Sequence, residues 1–155
     1  MTTLKAYLSL LGVLLLSGLV LMPIFVPSGT PLAHSASGAI VSAGPVLRGV
    51  HFWAAPLAAL AILAHLGGTI FVKTNRPRRT GAIILVLLTG LLWFTGVLLP
   101  WDQLAFWTNG LLRGVTSQNV LWIVYWMHTL ALSLLALPFL LIYVRRTRRD
   151  PAPSV

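Results

Sequence analysis

The 155-residue chain has no cysteine and only two acidic residues, Asp102 and Asp150. Without cysteine, the chain itself can form no disulfide, no Cys-X-X-Cys-His haem attachment and no thiolate-ligated cluster. With so few acids there is no pair of carboxylates for acid–base work, and no nucleophile–base set stands out. Charged residues make up only 8% of the chain, where a soluble domain has about a quarter. What fills the space is apolar: 57% hydrophobic residues and a mean hydropathy of +0.90. One small core cannot hide that much apolar surface from water, so the bilayer is the expected solvent. The length allows about four or five spans of roughly 20 residues.

Apolar runs occupy about 6–26, 47–72, 81–99 and 120–144. Each can cross a ~30 Å hydrocarbon core as a helix, and only helices satisfy their backbone within one apolar segment. The sequence predicts an all-α membrane protein, a single four-helix transmembrane domain over 1–155. The start, MTTLKAYLSLLGVLLLSGLVLMPIF, has the make-up of a signal peptide, but no small-x-small cleavage site follows at once. It is read as the first span.

The net charge of +9 is not spread as a nucleic-acid binder would spread it. Lys5, Lys73, Arg76, Arg78, Arg79, Arg145, Arg146, Arg148 and Arg149 flank apolar runs, and only Arg48 and Arg113 lie on the other side. By the positive-inside rule both termini face the cytoplasm, most simply in a prokaryotic inner membrane. Trp53, Trp101, Trp107, Trp122 and Trp126 then gather at the outer interface as anchors.

Ionisable residues inside spans are rare and usually functional. His51 and His65 are fourteen residues apart on the second span, so both rings face one side, about 21 Å apart along the axis. His128 lies in the fourth span at a depth like that of His51. Two neutral imidazoles at equal depth on facing helices can hold a haem iron from both sides. The plainer reading is a histidine that hydrogen-bonds a neighbouring helix. His34, in the first outer loop, reads as a solvated residue.

LRGVHFWAAPLAALAILAH (47–65), TGVLLPWDQLAFW (95–107) and SGLVLMPIFVPS (17–28) resemble the N-terminal half of cytochrome b. That family is the di-haem membrane subunit of quinol–cytochrome c reductases and their photosynthetic relatives. The resemblance holds from about residue 9 to 107 and fades beyond. It implies two haems between the second and fourth helices, with glycines on the first and third letting the rings pack closely. By that match His51 and His128 are ligands of the outer haem, Gly18 and Gly96 its close-approach glycines, and Arg48 faces a propionate. At the inner site only His65 matches a ligand. Its partner should fall at Ile142 or Tyr143, and the two glycines at Ala82 and near Leu4. The expectation is one haem b on the outer side, with His65 the candidate ligand of a second.

The leading functional expectation is a non-catalytic electron-transfer subunit of a respiratory or photosynthetic complex. It would pass electrons between the quinone/quinol pool and redox centres on other membrane and peripheral subunits. One alternative is part of a quinol-oxidising site completed by another subunit, motivated by Leu-Pro-Trp-Asp-Gln at 99–103, where Pro100 stops the third helix. Another is a structural membrane anchor with a degenerate cytochrome b fold.

Overall fold

The computed structural model describes residues 2–22, 38–71, 76–99 and 118–149. All regular structure there is helical. The elements are α1 (Thr2–Leu21), α2 (Gly38–Phe71) and α3 (Arg76–Leu98). A fourth span follows, made of α4 (Gln118–Trp126), a π-helical turn (Met127–Ala131) and α5 (Leu132–Arg149). The four spans are long and apolar enough to cross a membrane.

The helix ends differ from the hydropathy runs for identifiable reasons. α1 stops at Leu21, with the Met22 amide bonded to the Gly18 carbonyl at 2.9 Å, because Pro23 cannot continue the ladder. α2 begins nine residues before the hydropathy run and passes through Pro45 and Pro56. Pro45 read from sequence as part of a loop. A proline inside a span costs a backbone bond, yet spans tolerate it where neighbouring groups re-satisfy the carbonyl. α3 takes Arg76, Arg78 and Arg79 into its first turns, where Pro77 is acceptable because a first-turn amide has no intrahelical partner. α5 carries on to Arg149, its last-turn arginines complementing the C-terminal end of the helix dipole. These cations therefore extend the helices out of the apolar layer rather than forming loops.

α1 packs on α2, α2 on α3, and α3 on the fourth span. The well-packed core lies toward one end of the bundle, around His65. It consists of Leu4 and Tyr7 from α1, Ala58 and Ile62 from α2, Ala82 and Leu85 from α3, and Leu140 and Tyr143 from α5. Tyr7 and Thr89 share a buried hydroxyl–hydroxyl bond of 2.8 Å that ties α1 to α3. Near the other end the Tyr125 hydroxyl donates to the Met22 carbonyl at 2.7 Å, tying the fourth span to the end of α1. Many large apolar side chains face outward, such as Leu16 at 69% and Leu87 at 66% exposure, as lipid-facing positions should. Trp53, Trp122 and Trp126 are among the exposed aromatics. His34, Trp101, Asp102, Gln103, Trp107 and Arg113 lie outside the described residues.

Packing, more than water exclusion, holds such a bundle together. Ile62→Ala and Leu85→Ala, at side chains only 1% exposed, should each cost about 1–3 kcal/mol through the cavity they leave. Leu87→Ala should stay within about 0.5 kcal/mol. Thermal unfolding in detergent, followed by circular dichroism, measures all three.

Candidate functional site

The rings of His51 and His128 meet across the interior, with centres 6.2 Å apart and planes at 78°. Each ring is held by the helix beside it. His51 Nδ1 lies 2.9 Å from Ser17 Oγ on α1, and His128 Nδ1 lies 3.1 Å from Thr95 Oγ1 on α3.

The two hydroxyls decide the tautomers. Ser17 Oγ donates its single hydrogen back to the Val13 carbonyl at 2.7 Å. Thr95 Oγ1 does the same to Leu91 at 2.9 Å. Each oxygen then has only lone pairs left for the imidazole, so each Nδ1 carries the hydrogen and donates it. Each side-chain contact is made through Nδ1, which leaves Nε2 the nitrogen turned away from the anchoring hydroxyl. This is the arrangement in which a histidine ligates a metal while its second nitrogen is anchored.

Glycines beside the two hydroxyls give the rings their room. A Cβ on Gly18 would stand 3.1 Å from His51 Cε1, and one on Gly96 would stand 2.9 Å from His128 Cε1. These glycines were expected to make space for a macrocycle. They make it first for the imidazoles themselves.

His128 sits in the π-helical turn, which hydropathy cannot reveal. The Leu132 amide reaches back five residues to the Met127 carbonyl, and Ser133 Oγ donates to the His128 carbonyl at 3.1 Å. Such a wide turn absorbs one extra residue and re-aims the side chains around it.

A second level repeats the pattern toward the other end. His65 follows His51 by fourteen residues on α2, and Tyr143 follows His128 by fifteen on the fourth span. About 14.4 residues make four α-helical turns, and the wide turn takes up the additional one. The His65 and Tyr143 rings lie 5.9 Å apart with planes at 86°. Here the gap is closed, because the Tyr143 hydroxyl and His65 Nε2 are hydrogen-bonded at 2.7 Å. On the far side His65 Nδ1 lies 3.4 Å from Thr3 Oγ1, fourteen residues before Ser17 on α1.

Sequence comparison bears on what this bundle is. A family model described as Cytochrome b/b6/petB matches residues 5–133. The chain is 35% identical over 103 residues to a cytochrome bc complex cytochrome b subunit from Chlorobaculum thiosulfatiphilum; the match covers 61% of this chain and 24% of that protein. It is 27% identical over 136 residues to a cytochrome b6 from Gracilaria tenuistipitata var. liui, covering 71% of this chain and 62% of the relative. The chain belongs to the cytochrome b/b6 family. It spans less than two thirds of the length of either relative.

Within this cytochrome b-type bundle the sequence-derived positions fall as follows. His51, His128, Gly18 and Gly96 come together at one level. Arg48 lies one turn before His51 on α2 and is exposed. His65 is buried, at 5% exposure, and its Nε2 is already engaged. Of the two candidate partner positions, Tyr143 points inward and Ile142 is half exposed, at 50%. The glycine expected at Ala82 stands one residue earlier: a Cβ on Gly81 would come within 2.5 Å of Tyr143 Cδ2. Ala82 is instead a fully buried core residue, and Leu4 fills the matching place on α1.

Sequence reading missed Ser17, Thr95 and Thr3. A usable signal was present, since a hydroxyl residue directly precedes each close-approach glycine, as Ser17-Gly18, Thr95-Gly96 and Thr80-Gly81.

Ser17→Ala and Thr95→Val should each remove one ring anchor and cost about 1 kcal/mol of stability. Imidazole nitrogen NMR on the cofactor-free chain should show single Nδ1–H tautomers at His51 and His128, with a tautomer mixture appearing at the affected ring of each variant.

Proposed function

We propose that this chain is a haem b-binding, membrane-embedded electron-transfer subunit, with one haem held between His51 and His128. The observation that carries the reading is the pair of facing imidazoles, each anchored through Nδ1. Their ring centres are 6.2 Å apart. Two imidazoles that face each other across the bundle, each held through Nδ1 by a neighbouring helix, would be the pair to hold a haem iron. The residues at this level therefore fit the group.

When bound, the haem supplies reversible one-electron carriage. The protein's part is ligation and setting. Ser17 and Thr95 fix the two rings in the ligating tautomer. Gly18 and Gly96 keep Cβ atoms out of the way. Arg48, exposed one turn before His51, matches a family position that faces a propionate and equally suits an arginine reaching to the membrane interface.

The segregation of lysine and arginine supports a topology with both termini cytoplasmic and the haem in the outer half of the membrane. A prokaryotic inner membrane is the fitting location. One haem in one leaflet does not bridge a ~30 Å core. Electrons must therefore enter and leave through a quinone or through redox centres on partner subunits. A relative's description as a bc complex subunit supports membrane and peripheral redox partners of that kind. The chain itself carries no bond-making chemistry in this reading. Its role is passage of electrons within a larger oxidoreductase.

A dithionite-reduced minus oxidised spectrum with a pyridine haemochrome count tests the proposal. One haem b per chain is expected. His51→Ala and His128→Ala should each abolish it, and Ser17→Ala should keep it with about 10–100-fold weaker retention. A purified, folded chain with no haem absorbance would leave only the anchoring role standing.

A further inference from the structure

The His65 level carries the same scaffold as the His51 level and a different filling. On α1 a hydroxyl faces the α2 histidine at both levels, Ser17 at one and Thr3 at the other. On α3 a glycine lies under the ring from the fourth span at both levels, Gly96 under His128 and Gly81 under Tyr143. Two positions break the parallel. Gly18 on α1 is answered, fourteen residues earlier, by the buried Leu4. His128 is answered by Tyr143, whose hydroxyl holds His65 Nε2 at 2.7 Å.

We propose that the His65 level is a haem-free lock. The Tyr143–His65 hydrogen bond takes the mechanical place of an iron between α2 and the fourth span, and Leu4 occupies the room a macrocycle would need. This rests on the reading that the His51 level is the haem site.

Three observations argue for a lock over a second cofactor site. The lone pair a metal would need on His65 is engaged by the phenol. Toward α1 and α2 the side chains are tightly packed, with Ala58 and Ala82 at 0% and Ile62 and Leu85 at 1% exposure, and the space that remains lies on the other side of Tyr143, between α3 and α5. The Tyr143 ring is pinned by Gly81, since even a methyl group there would stand 2.5 Å from the ring. A haem at this level would have to break the hydrogen bond and evict Leu4, both buried and both already satisfied. The lock also gives His65 a role without a second imidazole, since its Nε2 pairs with the buried Tyr143 hydroxyl.

Three measurements on the detergent-purified full chain decide this. Wild-type protein should give one haem b. Tyr143→Phe should keep that count and the wild-type spectrum, while its melting temperature falls by several degrees. Leu4→Gly combined with Tyr143→His should raise the count to two, and adding His65→Ala should return it to one. Two haems in wild type, or a count that drops with Tyr143→Phe, would overturn the lock. So would a folded double variant that still binds one haem. A wild-type count of zero strikes at the function reading instead. The lock is then judged on Tyr143→Phe alone, and an unchanged melting temperature rejects it.

Discussion

Two hydrogen atoms, one on each Nδ1 at the His51 level, govern what this bundle can do. A half-buried imidazole gains from a partner on its nitrogens. Ser17 and Thr95 satisfy one nitrogen of each ring, having spent their own hydrogens on their helices. The hydroxyls can do this only because their neighbours, Gly18 and Gly96, let the rings come so near. A serine–glycine and a threonine–glycine pair thus seat the two imidazoles closely against α1 and α3. The backbone geometry of α1 and α3 is in this sense as much part of the site as the histidines.

Much of this architecture was legible in the sequence, because membrane constraints are severe. Long apolar runs and segregated cations are enough to give four helices, since nothing else satisfies a backbone in lipid. The pairing of His51 with His128 followed from depth alone. Helix ends were less legible: Pro45 signals a loop in water but sits inside α2 here. The π-helical turn around His128 left no mark in hydropathy, because it concerns hydrogen-bond register rather than polarity. That turn is why the inward position is Tyr143 and not Ile142. Placing the α3 glycine at Ala82 failed for a related reason. Gly81 is matched to Tyr143, fifteen residues past His128, and not to an idealised fourteen-residue repeat.

The two levels show how one scaffold can host opposite solutions to the same problem. Rings projecting from α2 and the fourth span face each other at both, with centres 6.2 and 5.9 Å apart. At the His51 level each imidazole takes its partner from the helix beside it, Ser17 or Thr95. Phenol against imidazole presents a donor and an acceptor, and the pair is complete. The chemical difference between the two levels is a single ring on the fourth span, backed by Leu4 on the first.

The placement of the core bears on how the protein is assembled. Leu4, Tyr7, Ile62, Leu85, Leu140 and Tyr143 can come together from the chain alone, without any guest molecule. Beside His51 and His128 lie the buried Ser17, Thr95 and Tyr125, the last tying the fourth span to the end of α1. Assembly then has a natural direction: the helices can lock their relative pitch around His65 first, and the level of His51 and His128 inherits its spacing from that framework.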